Sequence, residues 1–302
     1  MKRRLVSKLG MAAFAALGFL AVAPLFFIIG DIYLRGIPAI AQLGGLGFFW
    51  SLPPAPTDER GGIGPQIVGT LYMVFIGATL GFLIGFPIGV YVGEFKKDLL
   101  AQAARAGVNI LVEFPTVTIG IFVYSVFSFM LGGRLNEVLQ GVSDVLSKHL
   151  GGWVLQFVGP LSQFNAYAGA TALAIVMIPY VALFTASAYA SIEQPIREAA
   201  YAVSGREYKA VFVVMRKAVS RAVVVAALLG TAKIAGETAP LLFTAFGNLY
   251  YAPFTQPTAA VPLWIYYAAE SPYEVLISSA YAAAAVLLTI VLALFLLARA
   301  RG

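Results

Sequence analysis

Long apolar runs alternate with short polar segments along the 302-residue chain. A helix that crosses the hydrocarbon core of a bilayer needs about 20 apolar residues, and six runs reach that length. They cover about residues 9–33, 65–93, 107–131, 167–191, 221–246 and 275–298. Gly or Pro interrupts several of them, which membrane helices tolerate where neighbouring groups satisfy the freed backbone. The pattern predicts an all-α membrane protein with six transmembrane helices.

Basic residues are unevenly distributed among the segments that join these runs. Fifteen of the 20 Lys and Arg residues lie before the first run or after the second, fourth and sixth, whereas four lie in the remaining segments. Cytoplasmic loops carry an excess of Lys and Arg. This asymmetry predicts that the N and C termini are both cytoplasmic, and an even number of helices agrees with it.

The first run also has some features of a signal peptide. Four basic residues precede it, and Ala21-Val22-Ala23 is similar to a cleavage site. The apolar stretch continues to Ile29, however, which is longer than the apolar region of a signal peptide. We therefore expect a retained membrane anchor.

Composition narrows the function classes. Apolar residues make up 60% and charged residues 11% of the chain, against roughly 45–50% and 25% in soluble domains. This excludes most cytosolic enzymes and disordered proteins. The net charge of +6 resides between apolar runs, so it indicates membrane topology and not nucleic-acid binding.

Several kinds of reactive site are excluded by residue type. The chain has no cysteine and a single histidine, His149, which rules out thiolate sites and a multi-histidine metal site. No Gly-x4-Gly-Lys-Ser/Thr phosphate loop, His-Glu-x-x-His motif or Gly-x-Ser-x-Gly motif occurs. We predict no catalytic residue, no metal and no cofactor in this chain, and any ATP must bind to a separate subunit.

The predicted outer segments differ in character. Residues 34–64 are rich in Gly and Pro and read as a loop with little regular structure. Leu135–Leu150, within the outer segment 132–165, has the pattern of a short amphipathic helix near the membrane surface. Residues 247–274 carry several Tyr residues and Trp264, which suit the membrane interface.

The predicted cytoplasmic segment 192–218 contains a first candidate site. Pro195 precedes good helix formers, Glu198 suits the first turn of a helix, and Gly205 is placed to end or bend that helix. Ala199 and Ala200 leave a thin face that another protein can approach closely. A solvated loop that only connects two membrane helices is the alternative.

Glu198-Ala199-Ala200 followed by a glycine resembles the EAA loop of ABC importer permeases. In that family the loop docks into a groove on a cytoplasmic ATPase, which is a helix-in-groove contact. The resemblance implies that Glu198, Ala199, Ala200 and Gly205 couple this chain to an ATPase. The family glycine usually stands one position earlier, where this chain has Ser204.

The fifth apolar run contains a second candidate site. Lys233 and Glu237 are four residues apart and therefore share one helix face. Charges inside a span are costly and usually face a cavity or a partner. Pro240 has no N–H, so the carbonyl of Gly236 loses its helical partner. A substrate pathway and a structural ion pair are equally compatible with this pattern.

The run from Lys233 to Ala245 resembles phosphate-specific ABC importer permeases of the PstA and PstC type, and it is nearer to PstA. The resemblance extends over about residues 65–298 and includes the Pro115 segment of the third run, where we expect this proline to kink the helix or to start a regular one. It implies a type I ABC importer permease fold, with residues 65–298 as the permease domain after a first helix and outer loop, 1–64. It also implies that Lys233, Glu237 and Thr238 lie on the substrate pathway.

Three positions depart from the pattern of that family. Lys233 replaces an arginine and so loses its planar two-point grip on an oxyanion. Leu183 and Ala186 stand where an intramembrane Arg and Glu are common.

The resemblance predicts the permease subunit of an ATP-driven importer that carries inorganic phosphate across the cytoplasmic membrane. Its predicted partners are a homologous PstC-type permease subunit, PstB-type ATP-binding subunits, a PstS-type phosphate-binding protein and membrane lipid. One alternative is the same machine with another tetrahedral oxyanion as cargo: sulfate, molybdate or tungstate. Another is an intramembrane enzyme or receptor that acts without an ATPase.

Overall fold

The computed structural model describes residues 2–131 and 134–301, and these residues are predominantly helical. One segment, Ala210–Met215, is π-helical. The helices are α1 Lys2–Leu43, α2 Gly64–Glu94, α3 Leu99–Glu113, α4 Thr116–Leu131, α5 Leu135–Leu150, α6 Ala166–Ala190, α7 Gln194–Ser204, α8 Glu207–Lys209, α9 Arg216–Ala218, α10 Ser220–Ala235, α11 Ala239–Thr244, α12 Val261–Ala269 and α13 Glu274–Arg301.

Four helices of the described part are long and apolar enough to cross a membrane: α1 from Ala13, α2, α6 and α13. A fifth span is added if α3 and α4 are counted together, although these helices meet at an angle of 104°. At 16 residues, α10 measures about 24 Å, which is short of a full crossing. The six-span topology with cytoplasmic termini therefore stays a prediction.

The centre of the fold is the contact between α2 and α6. Glycines recur at every fourth position of α2, and each lies against the backbone or a Cβ atom of α6. A Cβ atom at Gly89, for example, would lie 2.5 Å from the carbonyl oxygen of Ala182. Small residues at such positions let two membrane helices approach closely. This stripe consists of Gly77, Gly81, Gly85, Gly89 and Gly93.

The first helix is longer than its apolar run predicts. It continues to Leu43, so the expected loop 34–64 begins as helix. The extension packs on α13: a Cβ atom at Gly36 would lie 2.6 Å from the carbonyl oxygen of Tyr281, and the Tyr33 hydroxyl lies 3.0 Å from the Thr289 hydroxyl. Tertiary contacts thus hold these residues helical in spite of Pro38.

The third apolar run, 107–131, is not one straight helix. Phe114, between α3 and α4, has an extended backbone with ψ of 130°. A residue before proline is pushed out of the helical region, because the proline ring clashes with its backbone. Pro115 therefore ends α3 and allows α4 to start in a new direction, which confirms the predicted kink or helix start at this proline.

Candidate functional site

The fifth apolar run is broken next to its charged residues. Helix α10 ends at Ala235 and α11 begins at Ala239, with Pro240 in its first turn. Among the described residues, no backbone donor reaches the Gly236 carbonyl, whereas the Thr238 carbonyl accepts from two amides of α11 at 3.1 and 3.2 Å. The break that Pro240 predicts is therefore present, and it leaves a polar backbone group unpaired beside Glu237.

Lys233 and Glu237 form an ion pair across this break. The Lys233 ammonium donates to Oε1 of Glu237. Its side chain is 42% exposed, whereas that of Glu237 is 9% exposed. The Lys233 Nζ also lies 5.9 Å from the centre of the Tyr180 ring of α6. The carboxylate is thus held inside the subunit, and the ammonium lies at its surface, where a second ligand has access.

Helix α4 fixes the position of this break from the other side. A Cβ atom at Gly120 would lie 2.7 Å from the carbonyl oxygen of Pro240. The backbones of α4 and α11 are therefore in direct contact. Since α4 begins at the bend made by Pro115, the position of the Lys233–Glu237 pair depends on two breaks, one at Pro115 and one at Pro240.

Leu183 and Ala186 do not join the charged pair in forming a polar site. Ala186 is buried between α6 and α2, where a Cβ atom at Gly93 would lie 2.7 Å from its carbonyl oxygen. Leu183 is half-buried. Next to it, Phe184 is exposed one turn beyond Tyr180. The exposed side of α6 around Tyr180 is therefore aromatic.

The helix predicted after Pro195 is present as α7. It runs from Gln194 to Ser204, and Gly205 follows it in the left-handed conformation with φ of 64°. Glycine adopts that conformation without strain, which is why it commonly follows a helix. The helix thus ends at Ser204, and Gly205 follows it, one position later than the family pattern places its glycine.

The predicted coupling residues lie on different faces of α7. Glu198 is exposed and accepts a hydrogen bond of 2.9 Å from the Gln194 side chain. Ala199 is exposed as well, whereas Ala200 is buried against the rest of the subunit. Val203, which is 83% exposed, adds an apolar group to the outward face. This face is small and partly apolar, as a helix that docks in a groove requires.

Two residues of these sites are not evident from the sequence patterns. Tyr180 contacts Lys233 although the two are far apart in the chain. Glu94, the last residue of α2, binds Arg197 and Tyr201 of α7. A charged residue directly after an apolar run was the available signal for Glu94, but it did not identify the partner.

Comparison with solved structures defines the class. The fold is similar to a chain of the MetNI methionine ABC transporter in inward-facing conformations, with a TM-score of 0.56 over 80% of this chain and 96% of that chain. Sequence identity is 17%, so the likeness shows the fold alone. The chain has the permease fold of an ABC transporter, as the resemblance predicted.

Curated relatives define the family. A probable phosphate transport system permease protein PstA of Methanocaldococcus jannaschii is 35% identical over 97% of this chain and 92% of its own length. The corresponding protein of Haemophilus influenzae is 31% identical over 91% of this chain and 86% of its own. No family model matches the chain. The chain belongs to the PstA family of phosphate transport system permease proteins, and it is a membrane transport subunit rather than an enzyme.

Proposed function

We propose that this chain is the permease subunit of an ATP-driven importer and lines the route by which inorganic phosphate crosses the cytoplasmic membrane. One observation carries the proposal: an accessible ammonium, Lys233, is paired with a buried carboxylate, Glu237, at a break in a membrane helix. A charge in a membrane segment is retained where it serves transport or pairing. Family membership supplies the substrate class.

The pair suits an anion that passes and is not retained. Lys233 attracts an oxyanion, while Glu237 neutralises the ammonium and keeps the attraction weak. Weak binding is what a conduction pathway requires, because a tightly held ion does not leave. Thr238 lies beside Glu237 at the start of α11 and extends the polar part of the route.

Glu237 also favours phosphate over sulfate. Inorganic phosphate carries at least one proton at neutral pH, whereas sulfate carries none. A carboxylate accepts a hydrogen bond from a protonated oxyanion and repels one that has no proton to donate. Only one Glu237 oxygen is bonded to Lys233, so within the described residues the other is available as an acceptor.

Helix α7 is the part of this chain that contacts the ATP-binding subunit. Glu198 and Ala199 on its outward face, with Val203 beside them, dock in a groove of an ATP-binding subunit, and Gly205 sets where the helix ends. A homologous permease subunit of the PstC type completes the pore. ATP-binding subunits of the PstB type lie below it, and a phosphate-binding protein of the PstS type delivers the ion outside. Both termini and segment 192–218 are cytoplasmic in this arrangement, and ATP binding drives alternating access.

Uptake of radiolabelled phosphate by a strain that lacks this gene tests the proposal. Phosphate uptake is expected to fall in that strain and to return when the gene is restored. Excess sulfate, molybdate or tungstate is expected to leave the restored uptake unchanged. Normal phosphate uptake without the gene would contradict the proposal, and suppression by one of these oxyanions would favour that ion as the cargo.

A further inference from the structure

Glu94 is a buried charge at the end of α2 whose partners both belong to α7. Its side chain is 3% exposed. One carboxylate oxygen accepts from the Arg197 guanidinium and the other accepts from the Tyr201 hydroxyl at 3.0 Å. A carboxylate removed from water is tolerated when it is paired and hydrogen-bonded. Both of its oxygens are satisfied by α7 alone.

Arg197 extends this contact to α6. Besides Glu94, its guanidinium donates to the carbonyl of Tyr189 at 3.1 Å and to that of Ile192 at 3.4 Å, at the end of α6. The Tyr189 carbonyl lies in the last turn of α6 and also accepts from the Ile192 amide at 3.3 Å, and Ile192 lies two residues beyond the end of that helix. One side chain of α7 therefore binds the adjacent ends of α2 and α6 together.

Two tyrosines enclose the same cluster. Burial, together with the hydrogen bond to Glu94, raises the pKa of Tyr201 to about 12, so its hydroxyl stays a donor throughout the physiological range. The hydroxyl of buried Tyr189 donates to the carbonyl of Val211 at 3.2 Å, in the π-helical segment that follows α7 and α8. The cluster thus contacts both α7 and the π-helical segment that follows it.

A desolvated cluster of this kind behaves as a rigid joint. Separating α7 from α2 would break both contacts that satisfy the Glu94 carboxylate, the ion pair with Arg197 and the hydrogen bond from Tyr201. From this cluster, α2 packs closely against α6 through the glycine stripe of α2. The close packing extends to the turn of α6 that carries Tyr180, and Tyr180 lies beside Lys233. An unbroken series of packed elements therefore runs from α7 to the charged pair.

We propose that Glu94 is a positioning residue that locks α7 to the ends of α2 and α6, so that a displacement of α7 by the ATPase reaches Tyr180 and Lys233. This inference rests on the proposed function. It assigns to Glu94 the coupling of ATP hydrolysis to transport and assigns it no contact with the ion.

The test measures phosphate uptake and ATP hydrolysis together in proteoliposomes that contain the whole transporter with its partner subunits. In E94Q the charge is lost while size is kept, so phosphate moved per ATP is expected to fall by about tenfold, within the usual range for coupling between two sites. E94D keeps the charge but is too short to satisfy both donors, and an intermediate ratio is expected. Glu207→Gln is the matched control, because Glu207 is exposed in the same cytoplasmic segment.

The ratio separates coupling from stability, since a merely structural role lowers uptake and hydrolysis equally and leaves their ratio unchanged. A wild-type ratio in E94Q would overturn the inference. If E94Q does not assemble, E94D decides, and a ratio equal to that of Glu207→Gln would overturn it. Failure of the proposed function is distinct, because the wild-type transporter would then move no phosphate at all.

Discussion

Replacing Gly89 by alanine tests the tight contact between α2 and α6. The added Cβ atom would lie 2.5 Å from the Ala182 carbonyl oxygen and 2.6 Å from the Cβ atom of Thr185. Neither atom can move away by rotation of a side chain, so the helices must separate. Overpacking of this kind costs about 1–3 kcal/mol, against which the better helix propensity of alanine recovers at most about 1 kcal/mol.

With that recovery subtracted, the expected net loss is about 0–2 kcal/mol, which corresponds to a fall in melting temperature of up to about 8 °C. The assay is thermal unfolding of the purified subunit in detergent. Gly107→Ala in α3 is the matched control, because no atom of the described residues outside its own stretch of helix lies within 4 Å of the Cβ position there. Its melting temperature is expected to stay level or rise. Equal melting temperatures for the two variants would refute the reasoning on the α2–α6 contact.

Three further predictions concern transport. In Lys233→Gln the charge-assisted contact with the ion is lost, and phosphate uptake is expected to fall by about tenfold or more. Lys233→Arg keeps the charge and should keep uptake. Equal uptake in the two variants would contradict a role for the charge. In Glu198→Lys the docking face of α7 carries a positive charge in place of a negative one. Phosphate uptake is therefore expected to disappear, while immunoblots still find the subunit in the membrane. Normal uptake would remove α7 from the mechanism. In Glu237→Gln the repulsion of unprotonated oxyanions is lost, so excess sulfate is expected to inhibit phosphate uptake; continued indifference to sulfate would exclude Glu237 as a selective group.

The sequence predicted local features of the fold well where one residue type determines the backbone. Leu135–Leu150 is the predicted amphipathic helix with the same ends. Pro115 and Pro240 each mark a break, because proline cannot donate the helical hydrogen bond. Gly205 ends α7 in the left-handed conformation that glycine favours. These predictions depend on a few neighbouring residues.

The features that the sequence did not reveal depend on distant contacts. Helix α1 extends to Leu43 because residues near Gly36 pack on α13, more than 200 positions away. Glu94 and Arg197, 103 positions apart, have no spacing that predicts a pair. Tyr180 reaches Lys233 only after α6 and α10 are assembled. Hydropathy identifies which segments enter the membrane, but not which of their side chains meet.

The charge at position 233 offers the most direct test of the central claim, that the Lys233–Glu237 pair lies on the route of the ion. The chain has no cysteine of its own, so Lys233→Cys introduces one thiol into this subunit of the assembled transporter. An aminoethyl methanethiosulfonate attaches an aminoethylthio group to that thiol through a disulfide, with methanesulfinate as the leaving group, and so restores a positive charge. The methyl reagent attaches a neutral methylthio group, and treated wild-type transporter controls for thiols of the partner subunits. We expect ATP-driven phosphate uptake to be lost in Lys233→Cys and to return only with the aminoethyl reagent. Full uptake in untreated Lys233→Cys, or equal recovery with both reagents, would contradict the claim.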